Sequence, residues 1–145
     1  METLRHTSRK TLAIATAVLL TVATAFGYWL NVGRDTKNYT GWIVVSIVGS
    51  IIAAALLLRF VPATEAETDR NAPARRGLVL GAAALVTLIV FWTGLPIILG
   101  VPALVLSAEG RARSSTHDHG AEATAGAVLG GFAAVAAVVL LVTGA

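Results

Sequence analysis

The sequence Phe-Trp-Thr-Gly-Leu-Pro (residues 91–96) stands in the middle of an uncharged run of 32 residues, from Gly77 to Ala108. A single helix of that length would measure about 48 Å, well beyond the hydrocarbon core of about 30 Å. Gly and Pro together are typical of a turn, and aromatic side chains are typical of the membrane interface. The run therefore predicts a helical hairpin with segments 77–93 and 95–111. A single tilted and kinked helix over 77–108 is the alternative.

The composition of the whole chain is that of a membrane protein. Of its 145 residues, 56% are hydrophobic and 13% are charged, and the mean hydropathy is +0.77. An ordinary soluble domain has about 25% charged residues, so the composition excludes that class, and it also excludes a disordered chain. The absence of cysteine excludes a disulfide scaffold and thiol catalysis. Because the apolar runs lack the alternation of a β-barrel, we predict an all-α polytopic transmembrane bundle.

Three further apolar runs complete a prediction of five membrane segments in a single transmembrane domain over residues 1–145. The segments are expected at about 11–30, 42–60, 77–93, 95–111 and 123–144, with polar loops at 31–41, 61–76 and 112–122. Within the loop at 61–76, Pro62 and Pro73 are expected to prevent a helix from continuing.

The first segment also has features of a cleavable signal peptide. A basic head precedes an apolar stretch, and Ala23-Thr24-Ala25 resembles a cleavage site. However, the apolar run continues to Leu30 and so reaches the full length of a membrane span. We therefore favour a retained segment, with removal of residues 1–25 as the alternative.

The distribution of positive charge favours five segments over four. Lys and Arg concentrate on the cytoplasmic side of membrane proteins. With the N-terminus in the cytoplasm, five segments place 9 of these residues inside and 2 outside, whereas four segments place 7 and 4. The nine are Arg5, Arg9, Lys10, Arg59, Arg70, Arg75, Arg76, Arg111 and Arg113, and the two are Arg34 and Lys37. The prediction is a multi-pass protein of the cell membrane with a cytoplasmic N-terminus, whose basic residues set topology rather than bind nucleic acid.

Two groups of residues are predicted to position the segments. Amphipathic side chains should anchor them at the membrane interface, namely Trp29, Trp42, Trp92 and Arg59. Small and hydroxyl side chains should mediate helix packing, namely Ser46, Ser50, Gly77, Gly81, Gly126 and Gly130. The Gly-x-x-x-Gly pair at 126 and 130 suits contacts within the chain and also a dimer face, so a homo-oligomer or a larger membrane partner stays open.

The second half of the chain resembles a known family. The motifs are Arg-Gly-Leu-Val-Leu-Gly (76–81), Ile-Leu-Gly-Val-Pro-Ala-Leu-Val-Leu (98–106), Gly-Arg-Ala-Arg (110–113) and Ala-Thr-Ala-Gly-Ala-Val-Leu-Gly (123–130). Over about residues 76–140 this pattern resembles a domain of unknown function found in small bacterial, especially actinobacterial, integral membrane proteins. The resemblance implies a hairpin followed by a third helix, and it implies no known activity.

Few residues suggest chemistry. His117 and His119 form a His-x-His pair that could hold a transition metal with Asp118 or Glu122, although solvated loop residues are the commoner explanation. The membrane segments lack ionisable residues in their interiors, which argues against proton-coupled transport. Ser46 and Ser50 lie in the membrane segments, whereas all three histidines, His6, His117 and His119, lie in polar segments, and the known catalytic motifs are absent. We therefore predict no cofactor and no enzyme.

The composition and motifs favour a small non-catalytic membrane protein, an accessory or packing component of the bilayer. A small channel or transporter is the alternative, with a path between helices lined by hydroxyls such as those of Ser46, Ser50 and Thr87. The two predictions differ in where the hydroxyls point. A channel exposes them to water, whereas a packing protein bonds them within the bundle.

Overall fold

The computed structural model describes residues 2–28, 39–67, 71–114 and 118–143, and 94% of these are helical, with no strand among them. Six α-helices follow one another along the chain. They are α1 (Glu2–Phe26), α2 (Tyr39–Ala55), α3 (Val61–Glu65), α4 (Ala72–Val86), α5 (Leu95–Arg113) and α6 (Gly120–Thr143). A π-helical turn, Leu56–Phe60, joins α2 to α3, and a 3₁₀ segment, Thr87–Thr93, extends α4.

Five of the resulting helical stretches are long and apolar enough to cross a membrane. They are Ser8–Phe26, Thr40–Glu65, Ala72–Thr93, Leu95–Arg113 and Gly120–Thr143. The prediction of an all-α bundle with five segments is confirmed. The alternative of one tilted helix over 77–108 is wrong, because that run is divided between two of the five stretches.

The division falls at Gly94, inside the predicted turn. Gly94 has φ 71° and ψ 3°, a left-handed conformation that favours glycine. The preceding 3₁₀ segment already departs from helical geometry at Val90, and Pro96 stands in the first turn of α5. Thr93 Oγ1 donates to the Val90 carbonyl at 2.7 Å and accepts from the Leu95 amide at 3.3 Å. These features reverse the chain within a few residues.

The expectation that Pro62 stops the second helix is wrong. The helix continues from Thr40 to Glu65, with Pro62 in the first turn of α3. The turn before it is π-helical, and the Val61 amide donates to the Leu56 carbonyl, five residues earlier. The wider turn makes room for the proline ring within the continuing helix.

Other helix ends also differ from the expected segments. Pro73 begins α4 rather than blocking it, so this helix starts at Ala72 instead of at residue 77. α6 starts at Gly120 rather than at residue 123, and α1 extends back to Glu2 through the basic head. The expected ends at residues 30 and 144 lie outside the described residues.

The helices α4, α5 and α6 pack most closely, and glycines lie at their crossings. A Cβ added to Gly81 would lie 2.7 Å from the Gly126 carbonyl oxygen. A Cβ added to Gly100 would lie 2.6 Å from the Gly130 carbonyl oxygen. At such distances backbone lies directly on backbone. The stripe of Gly126 and Gly130 is therefore used inside the chain, with Gly126 against α4 and Gly130 against α5.

The helices α1 and α2 are attached to this core through apolar clusters, and one of these clusters contains a fully buried leucine. Leu20 of α1 is fully buried and forms an apolar cluster with Ala53 of α2 and Ile98 of α5. Its side chain also lies against Gly49 and against Gly94 at the hairpin turn. Leu20 thus joins the first two membrane helices to the turn on which the hairpin depends.

The substitutions Gly126→Ala and Gly131→Ala form a matched pair on α6. A Cβ at Gly126 would lie 2.7 Å from the Leu78 amide nitrogen, whereas a Cβ at Gly131 meets nothing closer than the Leu104 side chain at 3.4 Å. We expect Gly126→Ala to destabilise the bundle by about 1–3 kcal/mol through overpacking. Gly131→Ala should be neutral or stabilise it by up to about 1 kcal/mol, because alanine favours helix. Thermal unfolding in detergent micelles measures both, and equal stability of the two variants would contradict this packing.

Candidate functional site

The most elaborate polar arrangement in the described residues lies at one end of the bundle, where the start of α1 meets α3 and the end of α5. Arg9 of α1 forms an ion pair with Glu65 of α3. Arg113 of α5 donates to the backbone carbonyls of Glu65 and Glu67, and its Nε lies 3.2 Å from Glu109 Oε1. One guanidinium therefore holds the end of α3 against the last turns of α5.

Arg76 makes a second set of contacts at the same end. Its guanidinium donates to Thr64 Oγ1 at 2.9 Å and lies 2.7 Å from a carboxylate oxygen of Glu67. It also stands over the Phe60 ring, 5.8 Å from the ring centre. Thr64 in turn donates to the Phe60 carbonyl at 2.9 Å. These contacts bind the start of α4 to α3.

Asn71 fastens three backbone segments at once. Its side chain is almost completely buried, and its amide donates to the carbonyls of Gly110 at 2.9 Å and Asp118 at 3.2 Å. Its Oδ1 accepts from the Ala74 amide at 3.4 Å, as an N-cap of α4. Asn71 therefore connects the start of α4, the end of α5 and the segment that leads into α6.

A cleft of about 400 Å³ opens beside this network, between α1, α3 and α5. Its lining combines polar and apolar side chains from the three helices, namely Ser8, Arg9, Leu12, Glu65, Val105, Ala108 and Glu109. The charged members lie toward the end of the bundle. Leu12 and Val105 lie deeper along the apolar runs, so the cleft passes from a polar rim to an apolar floor.

The hydroxyls of the membrane segments bond mainly to backbone within their own helices. The recorded bonds run to carbonyls three or four residues earlier, from Thr16, Thr21, Thr24, Thr87 and Thr143. Ser46 is buried, and its hydroxyl lies 3.5 Å from that of Thr24 across the α1–α2 contact, whereas Ser50 is half-buried. Ser107 is fully buried between Gly77 and Gly126, and its hydroxyl has no hydrogen-bond partner among the described atoms.

The predicted interface anchors lie in different surroundings. Trp42 Nε1 donates to the Thr21 carbonyl at 3.2 Å and so joins α2 to α1. Trp92 is 48% exposed and packs edge-to-face on Phe91 at 5.6 Å between ring centres. Arg59 is exposed in the π-helical turn. Trp29 lies outside the described residues.

The predicted metal ligands are only partly described. His117 lies outside the described residues, and among those described no group of three or more His, Cys, Asp or Glu side chains could hold a metal ion. His119 has a left-handed backbone, with φ 83°, and its Nδ1 lies 3.0 Å from Glu122 Oε1. Because Glu122 lies in the first turn of α6, its negative charge is favourable at that helix N-terminus. The contact between His119 and Glu122 is therefore explained by its position at the start of α6.

The sequence reasoning missed several residues that organise this end. Asn71 has a recognisable signal, since Asn-x-Pro is typical of an N-cap followed by a helix start. Gly110 was also not predicted as a packing residue, although a Cβ there would lie 2.7 Å from the Ala74 amide nitrogen. The long-range bonds of Arg113 leave no signal in the sequence, because they join residues more than forty positions apart.

The chain matches no protein-family model, no curated protein and no solved structure. The resemblance of residues 76–140 to small actinobacterial membrane proteins therefore stays a prediction. The five apolar helices identify a multi-pass membrane protein in contact with a lipid bilayer.

Asn71→Ala tests the connection of the three segments. The substitution leaves the carbonyls of Gly110 and Asp118 without their recorded donor, and we expect a loss of about 1–3 kcal/mol of stability. Faster proteolysis between α5 and α6 should accompany it. Thr124→Ala is the control, because it also removes a side-chain bond to backbone, but at an exposed position, and should change stability by less than about 0.5 kcal/mol. Stability equal to that of the control would contradict the assigned role of Asn71.

Proposed function

We propose that this chain is a small non-catalytic component of the cell membrane, with its N-terminus in the cytoplasm, that packs against other membrane proteins or further copies of itself. The observation that carries the proposal is the use of its polar groups. Threonine hydroxyls in the membrane segments donate to backbone carbonyls of the same helix, and the closest glycine contacts lie inside the bundle. Such a molecule is built as a compact helical unit.

The alternative of a hydroxyl-lined channel receives less support. Of the hydroxyls that it would use, Thr87 donates to the Ala84 carbonyl at 2.8 Å, and Ser46 is 8% exposed and faces Thr24. Hydroxyls committed in this way have reduced capacity to replace the hydration of a passing solute. The proposal of an acyl-transfer enzyme also receives less support. Ser107 is buried, and no base is in hydrogen-bond contact with its hydroxyl among the described residues.

The orientation is supported by the position of the charged network. Arg9, Arg76 and Arg113 meet at one end of the bundle through contacts with Glu65 and Glu67. In a five-segment chain the sequence predicts nine of the eleven Lys and Arg on the side of this end. By the positive-inside rule it faces the cytoplasm.

The outer surface of α1, α2 and α6 is apolar. Exposed side chains include Ile14 and Val18 on α1, Ile51 on α2, and Phe132 and Val135 on α6. In a bilayer this surface meets lipid chains or the apolar helices of a partner. Partner contacts of the proposed packing role would form there, since the glycine faces are already occupied.

The packing role predicts protein neighbours at the exposed face of α6. A photoreactive amino acid in place of Val135 should crosslink to a protein in native membranes and give a product above the 14.9 kDa of the chain. The same amino acid in place of Ala133, which is fully buried on the same helix, is the control and should react within the chain. Placement at Phe132 and Ile51 extends the search to neighbouring surfaces. Lipid adducts alone at all three exposed positions would contradict the packing role.

The proposed orientation predicts the labelling of single cysteines, which the natural chain lacks. Ser8→Cys and Ser114→Cys should be protected from a membrane-impermeant maleimide in intact cells and react after permeabilisation. Thr143→Cys should react in intact cells, because α6 ends on the opposite side. All three positions are exposed in the bundle. Labelling of Ser114→Cys and Thr143→Cys from the same side would contradict five crossings, and the inverse pattern would contradict the cytoplasmic N-terminus.

A further inference from the structure

We propose that the cleft between α1, α3 and α5 binds a membrane phospholipid that carries a primary ammonium, with phosphatidylethanolamine as its simplest form. The cleft measures about 400 Å³, within the range of small-molecule sites. The inference is independent of the proposed orientation, since the cleft recognises such a lipid by its chemistry, whichever side of the membrane the cleft faces.

The position of the cleft is that of a lipid headgroup. Its α1 wall passes from Ser8 and Arg9, at the end of the basic head, to Leu12, at the start of the first apolar run. Its α5 wall passes from Glu109 to Val105 in the same direction. An occupant must therefore be polar at the rim and apolar one helical turn deeper, as a phospholipid is.

The charges of the rim select the type of headgroup. The rim holds Arg9, Glu65 and Glu109. Because Arg113 pairs with Glu109 beside it, two guanidiniums and two carboxylates give this end a formal charge of zero. A zwitterion brings a phosphate for Arg9 and an ammonium for the carboxylates, whereas an anionic headgroup without an ammonium leaves the carboxylates without a donor from the lipid. Complementary charge placement of this kind gives specificity among similar ligands.

Arg9 and Glu109 can each form further hydrogen bonds in addition to their contacts within the protein. Arg9 has five N–H donors and pairs with Glu65 through Nη2. Glu109 meets Arg113 through Oε1, which leaves its second carboxylate oxygen to accept from an ammonium. A primary ammonium donates up to three hydrogen bonds, whereas the trimethylammonium of phosphatidylcholine has no N–H to donate. The site should therefore distinguish the two zwitterions.

Native mass spectrometry of the purified full chain in detergent tests the site with three lipids of identical acyl chains. We expect the occupancy of phosphatidylethanolamine to exceed those of phosphatidylcholine and phosphatidylglycerol by at least about fivefold, which corresponds to roughly 1 kcal/mol. Equal occupancy of the three lipids would overturn the proposal.

Substitutions locate the binding and separate its two charges. Glu109→Gln should remove the preference for phosphatidylethanolamine over phosphatidylcholine and leave phosphatidylcholine binding unchanged. Arg9→Gln should lower the binding of both, because both carry the phosphate. Glu122→Gln is the control for Glu109, since it also removes a carboxylate that pairs with a nearby residue, His119, but lies outside the cleft. A loss of preference in the control equal to that in Glu109→Gln would overturn the assignment.

Two substitutions that add bulk without changing charge test the site independently of the ion pairs. Ala108 lines the cleft and is exposed, so Ala108→Leu should fill the cleft without disturbing a buried contact. Ala112 is also exposed on α5, one turn further on and outside the cleft lining. We expect Ala108→Leu to lower the occupancy of phosphatidylethanolamine at least fivefold, again about 1 kcal/mol, and Ala112→Leu to retain it. Retention by both variants would show that the lipid binds elsewhere.

Discussion

The contact of glycine backbones between α4, α5 and α6 is the constraint on which the rest of the bundle depends. In lipid, helices gain nothing by leaving an apolar solvent, so their association relies on close packing and on polar contacts. Gly81 on Gly126 and Gly100 on Gly130 bring backbone within van der Waals distance of backbone. Three helices packed in this way define a fixed surface. Leu20 packs α1 against it, and Trp42 joins α2 to α1.

The charged end follows from that core. Because Gly110 lies directly against Ala74, the end of α5 and the start of α4 are close enough for Asn71 to bridge them. The same register brings Arg113 within reach of the carbonyls of α3. The polar network is therefore a consequence of backbone packing deeper in the bundle. The same packing defines the shape of the cleft between α1, α3 and α5 at the edge of the network.

The sequence predicted what depends on local patterns. Charge counts and the Gly-Leu-Pro sequence placed the hairpin turn at Gly94, because turn chemistry and membrane thickness both act over a few residues. Helix ends were less predictable, since Pro62 is accommodated by a π-helical turn that no residue type announces. The network around Arg113 was beyond reach, because pairing between distant residues depends on how the helices pack. The α1–α3–α5 cleft was missed for the same reason.

Because charged residues are few, the molecule has a large apolar outer surface and one charged end, and the two differ in what they can recognise. The faces between α4, α5 and α6 are closed by glycine contacts, and most described membrane hydroxyls are bonded to backbone. The outer faces of α1 and α6 are apolar and present mainly shape to lipid or protein. Directional recognition requires donors and acceptors, and the charged end supplies them in the guanidinium of Arg9 and the carboxylate of Glu109. Selectivity among lipids should therefore arise at that end, while association with proteins should depend on the apolar faces.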